Sequence, residues 1–156
     1  MAQNWNQATP DVIKDLIVAG NPKFSNYRGQ YNIGAPSTTT LHGKNTVVTL
    51  TPINTTFVTG NINVYYNRRT VTEFLKLRIP TGQVSWGADL ATVPGTTSAL
   101  LPRINQWLKT QLVATDITDS LVSTGLLGLL PMRTVMLAAS AKNLLLTGSA
   151  TFNIVK

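Results

Sequence analysis

The sequence predicts an α+β domain built from two helix-plus-β-hairpin halves, an internal pseudo-repeat, sharing an antiparallel sheet. Three observations carry this. First, NTVVTLTPINTTFVTGNINVYYN (45–67) lies over RTVMLAASAKNLLLTGSATFNIV (133–155) without a gap at a shift of 88 positions. Thr46, Val47, Thr59 and Gly60 fall on Thr134, Val135, Thr147 and Gly148. Past the Thr-Gly pair, Ile62, Val64 and Tyr66 fall on Ala150, Phe152 and Ile154. Side chains alternate along a strand, so both copies put apolar groups on one face and mostly polar groups on the other. Second, each stretch follows a segment with apolar residues at helical spacing. Third, only 12% of the residues are charged, about half the usual quarter. The polar surface must then come from Thr, Asn, Ser and Gln, and Thr suits a half-buried pleated surface.

Taken in order, Met1–Ala8 is a polar N-terminal arm in which Trp5 stands alone, an anchor on its own domain or on a partner subunit. A single domain then runs over 9–156, with halves at about 9–80 and 98–156 joined by a turn-rich segment, 81–97. Thr9-Pro10-Asp11 reads as a helix start, with Thr9 as cap, Pro10 at the first helical position and Asp11 at the positive end of the dipole. Val12, Ile13, Leu16 and Ile17 form its apolar stripe, and Gly20 stops it. Residues 21–44 read as an ordered loop with one short extended piece. Strands follow at about Thr46–Thr51 and Phe57–Asn67. Val71–Pro80 fits a strand or a short helix opened by Thr70; the alternation of Leu75, Leu77 and Ile79 favours a strand over Leu75–Ile79. A second helix runs from about Ser98, its cap, to Lys109. Thr115-Asp116 opens a short helix ending before Gly125, and GLLGLLP (125–131) is a buried connection into the last strands.

The net charge of +7 permits an acidic partner or nucleic acid. The thirteen lysines and arginines are spread along the chain, with only Arg68-Arg69 adjacent, which suits solubility or an acidic protein neighbour better than a groove for phosphates. Without cysteine, disulfides, thiol catalysis and cysteine-bound metal are excluded. No apolar run approaches the roughly 20 residues that span a bilayer. No catalytic or metal site emerges. His42, the single histidine, lacks nearby carboxylates, and Asp11, Asp15, Asp116 and Asp119 sit where helix starts or exposure explain them. Tyr65, Tyr66, Arg68 and Arg69 interleave aromatics with bases, as a single-strand stacking surface does, although Tyr66 shares the core-facing parity of Ile62 and Val64.

Residues 44–68, KNTVVTLTPINTTFVTGNINVYYNR, resemble a motif in structural proteins of large tailed bacteriophages: N-T-x-V-T-L-T, a short loop, T-G-S/N, alternating apolar residues, and Y-N-R. Asn45-Thr46, Val48-Thr49-Leu50-Thr51, Thr59-Gly60-Asn61 and Tyr66-Asn67-Arg68 stand in those places. The flanks are similar too, from the short helix leading to Gly20-Asn21-Pro22 through LLPRINQWLKTQLVATDITDS (100–120) to LTGSATFNIV (146–155). The chain departs from the pattern at Phe57-Val58 and through Gly82–Thr97. The resemblance implies a virion component, made in the bacterial host cytoplasm, that packs among copies of itself and other capsid or tail proteins. It implies no enzyme activity, cofactor, membrane or small-molecule substrate. The alternative is a nucleic-acid-associated protein packaged in the phage head. The expected interface residues are Trp5, Tyr65, Arg68, Arg69, Asn153 and Lys156.

Overall fold

The computed structural model describes residues 5–56, 58–124 and 132–156. The GLLGLLP connection, Phe57 and the first four residues of the arm lie outside them. The described chain is a mixed α+β fold. Its first half contains α1 (Thr9–Gly20), β1 (Tyr31–Ile33), β2 (Ser37–Thr38), β3 (Thr46–Pro52) and β4 (Ile62–Tyr66). A connecting stretch carries β5 (Arg69–Thr70), α2 (Val71–Arg78) and β6 (Gln83–Ser85). Then come α3 (Thr97–Leu108), β7 (Ile117–Thr118), β8 (Ser123–Thr124), β9 (Met132–Ala139), β10 (Leu146–Thr147) and β11 (Ser149–Val155).

The two hairpins do not meet in one antiparallel sheet, which corrects the shared sheet expected from the sequence. In the first sheet β3 is central, with β1 and β2 on one side and β4 on the other, all antiparallel. In the second, β9 pairs with β11 on one side and with β7 and β8 on the other, while β6 lies parallel to β11. A two-residue parallel ladder, β5 with β10, ties the connecting stretch to the second half.

The pieces nevertheless recur in the same order. α1 and α3 each span twelve residues and begin at residues 9 and 97, 88 apart. In the first half Tyr31 pairs with Pro52 and Ser37 with Val47; in the second Ile117 pairs with Ala139 and Ser123 with Thr134. In both, six steps along the outer chain oppose five along the central strand, one extra residue that bends the outer chain. The offset is therefore 86 for the outer strands (31 to 117) and 87 for the central one (52 to 139), and the final strands return to 88. The connecting turns carry Gly60 and Gly148, also 88 apart, at φ of +84° and +75°, which favour glycine. The gapless shift of 88 thus fails at the first hairpin strand. Val48 and Leu50 correspond in burial to Val135 and Leu137, not to Met136 and Ala138.

Four local readings also change. Val71–Arg78 is a helix, held by a capping box in which Thr70 Oγ1 accepts from the Glu73 amide and the Glu73 carboxylate accepts from the Thr70 amide. Thr9 does not cap α1; it is the first helical residue, buried, and its hydroxyl donates to Asp116. α3 is capped by Thr96, whose hydroxyl accepts from the Ala99 amide, not by Ser98. In place of a helix after Thr115, a short 3-10 turn over Ala114–Asp116 feeds β7 and β8.

The main core gathers Val12 and Ile13 of α1, Val71, Phe74 and Leu75 of α2, Leu100, Ile104 and Leu108 of α3, and Val135, Leu137, Phe152 and Ile154 of the second sheet. A smaller cluster, Phe24, Tyr31 and Leu50, underlies the far end of the first sheet. The second half is the better covered. Ile62, expected in the core, is 40% exposed, whereas Phe152 is 2% exposed.

Candidate interaction surface

The residues of the Asn45–Arg68 motif build a clamp. β3 and β4 must be tied where they leave the sheet, and Asn45 and Arg68 do this by exchanging hydrogen bonds. Asn45 Oδ1 accepts from the Arg68 amide at 2.8 Å, and Asn45 Nδ2 donates to the Arg68 carbonyl at 3.1 Å. Asn67 Oδ1 accepts from the Asn45 amide at 2.9 Å. The Arg68 guanidinium turns inward: Nε donates to Thr46 Oγ1 at 3.0 Å and Nη1 to the Asn143 carbonyl at 3.2 Å. Tyr66 donates its hydroxyl to the Leu144 carbonyl at 2.7 Å, and burial raises its pKa so that it stays a phenol. The motif therefore fastens the first hairpin to the turn before β10.

The polar groups of Arg68 and Tyr66 are thus bonded within the chain, and Trp5 is buried there. The Trp5 ring is 6% exposed and sits 4.7 Å from the Phe74 ring, so it anchors the arm on its own domain rather than on a partner. Asn153 is half-buried and accepts from Thr134 Oγ1 across the β9–β11 ladder. Tyr65 projects from the opposite face of β4 to Tyr66, half-buried, with its ring 4.8 Å from that of His42. Arg69 and Lys156 are exposed. The structure brings Tyr65, Arg68 and Arg69 to one end of β4, with Asn153 and Lys156 on the other sheet.

Sequence reasoning missed Asn143. It is fully buried; Oδ1 accepts from the Leu145 and Leu146 amides at 2.8 and 2.7 Å, and Nδ2 donates to the Asp116 carbonyl at 2.9 Å. Its place in S-A-K-N marks a turn, but nothing local tells that the turn is buried.

The acidic residues all have internal work. Asp11 and Asp15 hold Arg28 at 3.5 and 2.8 Å, and a hydrogen bond from Gln7 keeps the Asp15 pKa low. Glu73 closes the capping box, and Asp89 accepts from the Ala91 amide. Asp119 accepts from the Ser98 amide at 2.7 Å, which lowers its pKa. Asp116 is buried, and desolvation raises its pKa. Of the thirteen lysines and arginines, Arg28 is the one that pairs with a carboxylate among the described residues.

No group of three or more potential metal ligands occurs among the described residues. A cleft of about 400 Å³ opens beside Phe24, Tyr27, Tyr31 and Ile62; Lys23 and the two phenols are its ionisable groups. That lining can take an apolar group but contributes no carboxylate or imidazole for acid–base chemistry. No helix among the described residues is long and apolar enough to cross a membrane.

A family model described as "Family of unknown function (DUF7941)" matches residues 2–156. The chain belongs to that DUF7941 family. No curated protein and no solved structure matches it. The family match extends over both halves and the connecting α2–β6 stretch, so it embraces the clamp and every expected interface residue.

Proposed function

We propose that this chain is a structural subunit of a tailed-bacteriophage particle, a capsid-decorating, neck, tail or baseplate protein, that works through protein–protein contacts and performs no catalysis. One observation carries the reading beyond the motif resemblance: the motif's polar side chains and the six carboxylates are engaged in holding the fold. The motif itself is a clamp, and the carboxylates cap helices, pair with Arg28 or bond buried groups. What the chain offers outward is a basic surface rich in Thr and Asn, with sheet edges to which another chain can pair.

Quantitative mass spectrometry of purified particles, dissected into heads and tails, tests this. A fixed stoichiometry in one fraction is expected; absence from particles overturns the reading. The excess of unpaired cations also favours a second reading, packaging with nucleic acid. That reading requires retention of DNA on a filter, with an affinity that falls steeply as salt rises.

A further inference from the structure

The two halves differ at their last strands: among the described residues, the outer edge of the second's is covered by a further strand and that of the first's is not. On β11, β6 lies parallel, pairing Gln83, Val84 and Ser85 with Asn153, Ile154 and Val155. The Asn153 amide donates to the Gly82 carbonyl at 2.9 Å and the Trp86 amide to the Val155 carbonyl at 2.8 Å. Trp86 then meets Trp107 of α3, which meets Phe152, each ring pair 6.2 Å apart. Beneath this cover Ile104, Phe152 and Ile154 are 0–2% exposed.

Their counterparts 88 positions earlier are Leu16, Val64 and Tyr66. Leu16 is 41% exposed, and Val64 and Tyr66 are only half-buried. The three line small clefts between α1 and β4, and Arg69 lines one of them. Beside these clefts β4 pairs with β3 alone among the described residues. The direction of its free groups follows from the ladder. The Thr49 carbonyl accepts from the Gly34 amide on the β1 side, so Val48 and Leu50 turn their backbone groups to β4, where Val64 and Ile62 face them. Asn63 and Tyr65 are left with N–H and C=O directed outward, as Asn153 and Val155 are toward β6.

We propose that the outer edge of β4 is a docking site for an extended segment of another protein. The segment adds parallel to β4, lays alternate apolar side chains over Leu16, Val64 and Tyr66, and carries a carboxylate toward its C-terminal end for Arg69. This deepens the reading of the chain as an assembly subunit and rests on it for where the partner is found. The parallel sense and the alternation come from β6, the occupant of the corresponding edge. The carboxylate comes from charge. A second copy of the chain brings a further +7 and no uncommitted acid, so a different, acidic protein fits the edge better than self-association.

The experiment uses the full chain and two synthetic peptides: residues 81–88, and the same peptide with Gly87→Asp and Ala88→Glu. Amide chemical shifts of isotope-labelled protein should move at Asn63, Tyr65 and Leu16 as either peptide is added to millimolar concentration. The acidic peptide should bind about two- to fivefold tighter, and the gap should close in high salt. Tyr65→Pro removes an outward amide without touching the β3 ladder; it should abolish binding at an unchanged fold. Should that variant not fold, Leu16→Asp, at an exposed position, must weaken binding instead. Shifts confined to other surfaces, no binding of either peptide, or a concentration-dependent dimer that Leu16→Asp or Tyr65→Pro dissolves would each overturn the proposal. None of these outcomes alters the particle stoichiometry on which the broader reading depends.

Discussion

Asn143→Ala tests how the halves are held together. The side chain satisfies three buried backbone groups: the Leu145 and Leu146 amides and the Asp116 carbonyl. Alanine leaves all three without a partner, and an unsatisfied buried donor or acceptor costs about 1–3 kcal/mol. Water entering the vacated space recovers part of this, so the net loss should be about 3–5 kcal/mol, a large share of the roughly 5–15 kcal/mol of a typical domain. The turn also presents the carbonyls of Asn143 and Leu144 to Arg68 and Tyr66, so the clamp loosens with it. Urea unfolding followed by fluorescence reads the change, because Trp5, Trp86 and Trp107 lie in or beside the main core. With a slope of about 1–3 kcal/mol/M, the midpoint should fall by about 2 M at little change in slope. A loss below about 1 kcal/mol would show that the turn is not a structural keystone, and the account of the motif as an inter-half clamp would go with it.

Three further outcomes follow from the same contacts. Phe152→Ala should cost about 3–5 kcal/mol, whereas Ile62→Ala, at a 40% exposed position, should cost under about 1 kcal/mol; equal losses by denaturant titration would contradict the observed asymmetry between the halves. Arg68→Met removes charged hydrogen bonds to Thr46 and the Asn143 carbonyl and should lower stability by about 1.5–3 kcal/mol; an unchanged melting curve would return Arg68 to the interface. In acid, two aspartates should act with opposite sign. Asp119, its pKa lowered by the Ser98 amide, contributes stability above its ordinary value of 3.8 that is lost as pH falls through its folded value. Asp116, raised by desolvation, contributes stability below 3.8 that is lost as pH rises through its folded value. Thermal midpoints between pH 2 and 6 should therefore depend less on acid in Asp119→Asn, and should fall less with rising pH in Asp116→Asn.

The parts of the fold legible in the sequence were those fixed by local chemistry. Pro10 and the Val12, Ile13 stripe located α1, and the alternation past Gly148 located β11 with Phe152 and Ile154 inward. α2 was misread because Leu75, Leu77 and Ile79 alternate like a strand. Its buried set is Val71, Phe74 and Leu75, at helical spacing, while Leu77 is 61% exposed. The Thr70–Glu73 pair was the visible signal and outweighs the alternation, since it satisfies two backbone amides at the helix start. Among the interface candidates, exposure was legible for Arg69 and Lys156, but not the burial of Trp5 or the inward turn of the half-buried Arg68. Whether a tryptophan or arginine faces in or out is decided by partners distant in sequence, here Phe74 and Asn143. The register of the first hairpin escaped for a related reason. Identities at Thr46 and Val47 drew the alignment to 88, and strand parity, fixed by burial, requires 87.

That one-residue difference matters for how the surface arises. With β3 and β9 in corresponding registers, the halves differ most plainly, among the described residues, in what covers the final strand. The stretch after β4 crosses to the second half, where α2 packs on β11 and β6 pairs with its edge. Using that stretch there completes the second half and leaves Leu16, Val64 and Tyr66 partly bare. A bare apolar strip beside unpaired backbone groups costs stability that a cis cover would recover, and the chain demonstrates such a cover on β11. The open edge of β4 is therefore not a consequence of what a sheet of this shape requires; it is the place where the two halves of one chain have been finished differently, and where another protein can supply what the first half lacks.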